Sequence, residues 1–117
     1  MTDVATRAFG ERMDLESALP AVIRALPAAS SVVTAHKLKA AGCDVLFVAA
    51  AAGTELPRHD HDTQNATVII SGGMVLVTDQ GERRYGPGEW YQTRPGEMHA
   101  LRFDADTVQI ELRFVQP

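Results

Sequence analysis

The stretch GTELPRHDHDTQNATVIISGG, from Gly53 to Gly73, decides how this chain is read. Its two histidines, His59 and His61, stand one residue apart. Successive side chains of a β-strand alternate between faces, so imidazoles at i and i+2 point the same way there. If 59–65 run as one unbroken strand, Asn65 joins that face and Gln64 points to the other. Such a row of polar side chains, placed just before an apolar run, is an arrangement for holding something.

Outward from this stretch the punctuation is that of an all-β domain, with short β-branched or alternating runs separated by turn residues. Strands are expected near 31–39, 43–50, 66–71, 73–79, 82–85, 89–92, 98–103 and 106–115. In the last of these Val108, Ile110, Leu112 and Phe114 alternate with Gln109, Glu111 and Arg113. This period of two predicts an apolar core face and a polar wet face. A tight hairpin turn is expected at Gln80-Gly81, and another where SGG (71–73) reverses the apolar run into MVLVT. The first thirty residues differ: DLESALPAVIRAL can form one or two short helical turns punctuated by Pro20 and Pro27. The expected organisation is a lead-in segment over 1–30 and a barrel domain over 31–117. Many short strands with no long helix argue for a sandwich or jelly-roll barrel.

Composition narrows the function. The 117 residues suit one domain, which buries roughly two thirds of its unfolded surface. Eleven basic against fifteen acidic side chains give a net charge of -4, which offers nucleic acid or an anionic membrane no basic field. The longest apolar run, Val45 to Ala52, is far short of the ~20 residues of a membrane helix. Cys43 stands alone, so no intrachain disulfide forms, and with no signal-peptide pattern a cytoplasmic location is expected.

The spacing is more specific than the composition. Gly53, five residues, His59, one residue, His61, three residues, Asn65, six residues, Gly72 is followed sixteen positions later by GEWYQTRPGEMHALRF, which opens at Gly88 and contains His99. Both segments resemble the two motifs of the cupin superfamily, G-x5-H-x-H-x3,4-E-x6-G and G-x5-P-x-G-x2-H-x3-N. The resemblance implies a jelly-roll barrel (double-stranded β-helix), after the short and partly helical N-terminal segment. It also implies a metal held by His59, His61 and His99. Three positions depart from the motifs: Asn65 stands for the glutamate, Arg94 for the proline and Phe103 for the asparagine.

Imidazole nitrogen suits Zn, Fe, Ni or Mn, and three of them on two strands can occupy one face of a divalent transition metal. Asn65, neutral where a carboxylate is usual, has three roles open to it: fourth ligand, hydrogen bond to a metal-bound water, or donor to a neighbouring carbonyl. His36 is either a base or substrate contact aimed inward or an ordinary satisfied core or edge histidine. Arg58, Arg94 and Arg102 read as solvated arginines before substrate contacts. Phe47, Trp90, Tyr91 and Phe103 read as core or pocket aromatics, with Trp90 and Tyr91 on opposite faces. Beside a metal that only braces the barrel, with a subunit interface as the functional surface, two functions fit these residues. One is a metal-dependent enzyme, of dioxygenase, isomerase or lyase type, acting on a small organic molecule. The other is a module that binds a metal or small molecule without turnover. Apolar residues on both faces of ATVIISGGMVLV (66–77) call for cover on the outer side, and a homodimer supplies it.

Overall fold

The computed structural model describes residues 15–115. Two one-turn helices, α1 (Leu15–Ala18) and α2 (Ala21–Arg24), flank Pro20, which cannot continue a helix. Nine strands follow: β1 (Thr34–Ala40), β2 (Cys43–Ala50), β3 (Glu55–His59), β4 (Gln64–Ser71), β5 (Met74–Thr78), β6 (Gly81–Tyr85), β7 (Trp90–Thr93), β8 (His99–Phe103) and β9 (Thr107–Phe114). They form two antiparallel sheets, β1-β2-β9-β4-β7 and β3-β8-β5-β6, packed as the jelly roll that the sequence predicts. Among the described residues no helix is long and apolar enough to cross a membrane.

The strand layout departs from the expected one in four places. First, β3 was not among the expected strands, because Pro57 interrupts ELPRH and weakens its β pattern. Second, 59–65 is not one strand. β3 stops at His59 in the smaller sheet, β4 starts at Gln64 in the larger one, and 60–63 cross between the sheets. Third, SGG makes no hairpin, since β4 and β5 belong to different sheets and the chain turns a corner of the barrel there. Gly72 takes φ +85 at that corner, and a Cβ on it would run into the Asp106 carbonyl and lie 2.6 Å from Thr107 Oγ1. Fourth, the β5–β6 hairpin pairs Thr78 with Gly81, so its two loop residues are Asp79 and Gln80, one position earlier than expected.

A further reversal bears on function. β9 alternates as expected, but its faces are exchanged. Thr107 and Gln109 are buried inside the barrel, whereas Val108, Ile110 and Leu112 lie on the outside and are only half-buried. Hydrophobic pattern alone cannot orient a strand whose inner face lines a polar cavity and whose outer face is apolar.

One end of the barrel is closed by Ile69, Met74, Leu76, Tyr85, Tyr91, Leu101 and Phe103. Phe103 is fully buried, and removing such a side chain from water contributes about 2–3 kcal/mol. A smaller cluster of Ala35, Leu46 and Val48 packs on the β1–β2 side. The outer face of the smaller sheet needs no partner at β5. Val75 pairs with Arg84 and Arg102, whose aliphatic stems flank it and leave it only 8% exposed. Their guanidinium groups end in ion pairs, Arg84 with Asp104 and Arg102 with Glu82.

Candidate metal centre

His59 ends β3 and His99 begins β8, and the antiparallel register sets the two directly opposite each other. His61 follows in the crossing segment, where its carbonyl accepts the Gly96 N–H at 2.8 Å and so ties this segment to the loop preceding β8. The three rings converge, with centroids 4.3 to 5.3 Å apart, and their ligand atoms all lie within 4.8 Å of one another. The grouping of His59, His61 and His99 survives the break in the strand because a β-pair and a loop tie, not strand parity, assemble it.

Hydrogen bonds fix the tautomers of two rings. His59 Nδ1 lies 2.7 Å from the Pro57 carbonyl and His99 Nδ1 lies 2.9 Å from that of Glu97. A carbonyl can only accept, so each Nδ1 carries the proton and each Nε2 keeps its lone pair in the neutral ring. His61 is held below the ordinary imidazole pKa, chiefly by burial and next by the Arg113 cation, with Glu111 opposing and the other two histidines adding small repulsions. A neutral imidazole with a free lone pair is the form that binds a metal, so the donor set fits a divalent transition ion.

The opposite wall is polar. A cavity of about 140 Å³ lies between the sheets, bounded by the three histidines on one side and by Thr67, Tyr91, Thr93, Gln109, Glu111 and Arg113 on the other. Arg113 Nε donates to Glu111 Oε2 at 3.1 Å. Asn65, itself buried, donates through Nδ2 to the same oxygen at 2.9 Å, while its Oδ1 accepts the Thr63 hydroxyl at 2.6 Å. Both ends of the Asn65 amide are therefore engaged by protein, and Asn65 stands beside Glu111 as a brace. The Tyr91 phenol is pushed well above its usual pKa, first by burial and then by the Glu111 charge, despite hydrogen bonds from Thr67 and Gln109. Gln109 Oε1 is buried with no hydrogen-bond partner among the described residues.

Of the other candidates only Tyr91 borders the cavity. His36 Nδ1 is bound to the Leu26 carbonyl at 2.9 Å, where it fastens the segment ahead of β1 in its ordinary structural role. Arg58 pairs with Asp79, Arg94 lies near Glu97 and Arg102 pairs with Glu82, all on the surface. Trp90 is 54% exposed while Tyr91 is buried, the opposed faces that alternation predicts, and Phe103 belongs to the core. Phe47 pairs with Ile110 on the outer side of the larger sheet. Glu111, Arg113 and Gln109 are the residues that sequence reasoning missed. They share one strand face at i, i+2 and i+4, but on an alternating strand that face reads as the solvent side.

A family model described as a cupin domain matches residues 46–115. A comparison with curated proteins returned no match. Among solved structures, the chain is similar to a conserved protein of unknown function from Streptococcus pyogenes, with 16% identity, TM-score 0.68, and 85% of this chain and 88% of that one covered. It is similar to a cupin superfamily protein from Desulfitobacterium hafniense, with 14% identity, TM-score 0.69 and coverage of 84% and 90%. KdgF from a Halomonas species matches with 15% identity, TM-score 0.67 and coverage of 78% and 87%.

Proposed function

The chain belongs to the cupin domain family, and on that footing we propose that it is a metal-dependent enzyme acting on a small organic molecule, with His59, His61 and His99 as the ligands. The observation that carries this reading is the pair of Nδ1 bonds to Pro57 and Glu97, which leave His59 and His99 with Nε2 free to bind, beside a third imidazole kept neutral by burial. A bound Zn, Fe, Ni or Mn ion would supply Lewis acidity toward an oxygen of the substrate. Glu111 supplies what the sequence alone did not, a carboxylate on the cavity wall that can hold or accept a proton. Arg113 and Asn65 fix the orientation of that carboxylate by sharing its Oε2. In this proposal Asn65 serves Glu111, and the fourth-ligand role goes to no protein residue. The small cavity and its apolar residues Leu46, Val48, Leu56 and Leu101 exclude bulk water around a compact substrate.

The test is metal analysis of the purified protein together with oxygen uptake on adding candidate substrates. The proposal expects about one equivalent of a transition metal per chain, loss of turnover in Glu111→Gln with metal retained, and no oxygen consumption if proton transfer at Glu111 is the chemistry. Substrate-dependent oxygen consumption with bound iron would move the reaction to the dioxygenase type. A metal-free protein that cannot be loaded would end the proposal.

We also propose a homodimer through the outer face of the larger sheet. Leu38, Ile70, Trp90 and Phe114 are each more than 40% exposed there, around half-buried Phe47, Val68 and Ile110. Exposed apolar area of this kind favours a self-complementary contact.

A further inference from the structure

We infer that the ligand of this cavity is a small carboxylate carrying a hydrogen-bond donor, its carboxylate seated on Arg113 and its donor received by Gln109 Oε1. This deepens the proposed function and relies on the bound metal only for the net charge of the cavity. Two independent observations support it.

The first is Arg113. Its guanidinium lines the cavity with 28% of the side chain exposed, and only Nε is used, on Glu111 Oε2. A guanidinium has five N–H groups, and among the described residues no side chain or carbonyl takes those of Arg113 Nη1 and Nη2. A planar pair of donors facing a partly desolvated space matches the two oxygens of a carboxylate. The charges agree. Glu111 and Arg113 cancel each other, and a divalent ion held by the three imidazoles would give the cavity a net positive charge that a monoanion relieves.

The second is Gln109. Its side chain is buried at 3% exposure, it lines the same cavity, and Oε1 has no hydrogen-bond partner among the described residues. An unpaired buried carbonyl oxygen is costly, and a turn of the Gln109 amide toward the cavity would let a ligand donor complete it. An acceptor demands a donor, which selects a hydroxyl, amide or enol on the ligand and disfavours a purely apolar chain. Size sets the last limit. A cavity of about 150 Å³ holds a benzene-sized molecule, so roughly six to eight non-hydrogen atoms fit the 140 Å³ here. A hydroxycarboxylate of about three to five carbons meets all three demands.

Calorimetric titration of the metal-loaded protein with lactate and 3-hydroxybutyrate tests this, each set beside its primary amide and its deoxy acid, propionate or butyrate. At least one hydroxy acid is expected to bind about tenfold or more tightly than its amide and its deoxy analogue. The Arg113→Gln, Glu111→Gln double variant, which leaves no lone buried charge, should lose the preference for acid over amide while keeping its metal. Gln109→Met should lose only the preference for the hydroxyl. In the wild-type protein, the NMR resonance of Arg113 Nε–H should shift with the acid and stay in place with the amide, a readout that needs no variant to fold. The inference is overturned if neither hydroxy acid binds at millimolar concentration or if the Arg113 resonance does not move. It is equally overturned if the double variant keeps the acid preference, because the carboxylate then sits on the ion. The metal reading fails separately, through a His99→Ala protein that keeps its metal.

Discussion

Asn65→Asp is nearly isosteric, and it replaces the Nδ2 donor by a carboxylate oxygen 2.9 Å from Glu111 Oε2. If both groups stayed ionised, Coulomb repulsion at that distance and an effective dielectric constant near 20 would be about 332/(20 × 2.9), or about 6 kcal/mol. The pair has a cheaper choice, which is to share one proton. Holding a proton at pH 7 on a carboxyl group of ordinary pKa near 4 costs about 3 × 1.4, or roughly 4 kcal/mol. The lower figure sets the expected loss of stability. It falls by about 1.4 kcal/mol for each pH unit of acidification, because the folded variant binds one proton more than its unfolded chain over this range. Near pH 5 the loss should be only about 1–2 kcal/mol. Asn65→Ala, which merely deletes a hydrogen bond to a charged group, should cost about 1.5–3 kcal/mol at either pH. Urea denaturation of the metal-free proteins at pH 5 and pH 7 makes the comparison. A loss in Asn65→Asp that does not depend on pH would refute the contact with Glu111. Tighter metal retention in the same variant would return Asn65 to the ion as a ligand.

Three further outcomes are expected. Tyr91 holds its proton more tightly in the folded protein than in the unfolded chain, so above the free-phenol pKa of about 10 the unfolded state ionises first and stability declines by up to about 1.4 kcal/mol per pH unit. Tyr91→Phe should remove that part of the decline, measurable by denaturation from pH 8 to 11, and an unchanged slope would refute the cause. Gly72→Ala should destabilise by on the order of 3 kcal/mol or more, since the left-handed backbone and the Thr107 contact both penalise a Cβ, and a wild-type melting temperature would contradict it. Light scattering at micromolar concentration should give twice the chain mass and Trp90→Glu half of that value, whereas a wild-type monomer would dismiss the outer face of the larger sheet as an interface.

Much of this fold was legible in the sequence because turn residues and β-branched runs mark eight of the nine strands close to their observed limits. The histidine triad was legible as well, through spacing, although strand parity is not what assembles it. His59 and His61 do not share an unbroken strand with Asn65. His59 faces His99 across a β-ladder, and His61 hangs on a loop. The polar wall of the cavity was hidden because Gln109, Glu111 and Arg113 look like the solvent face of an amphipathic strand. Only the register of β9 between β2 and β4 turns that face inward. A strand's pattern states which residues share a side, and the sheet around it decides which side is the inside. For the same reason Arg58, Arg94 and Arg102 could be set aside from parity and context, yet Arg113 could not be found that way.

Elemental analysis of four single-alanine variants purified alongside the wild-type protein decides whether the three imidazoles hold a metal. His59→Ala, His61→Ala and His99→Ala should each lose most of the bound metal, since each removes one of three converging imidazoles. His36→Ala, whose imidazole is bound to the Leu26 carbonyl, should keep it at the wild-type level. Full metal occupancy in a folded His99→Ala protein would contradict the three-histidine centre.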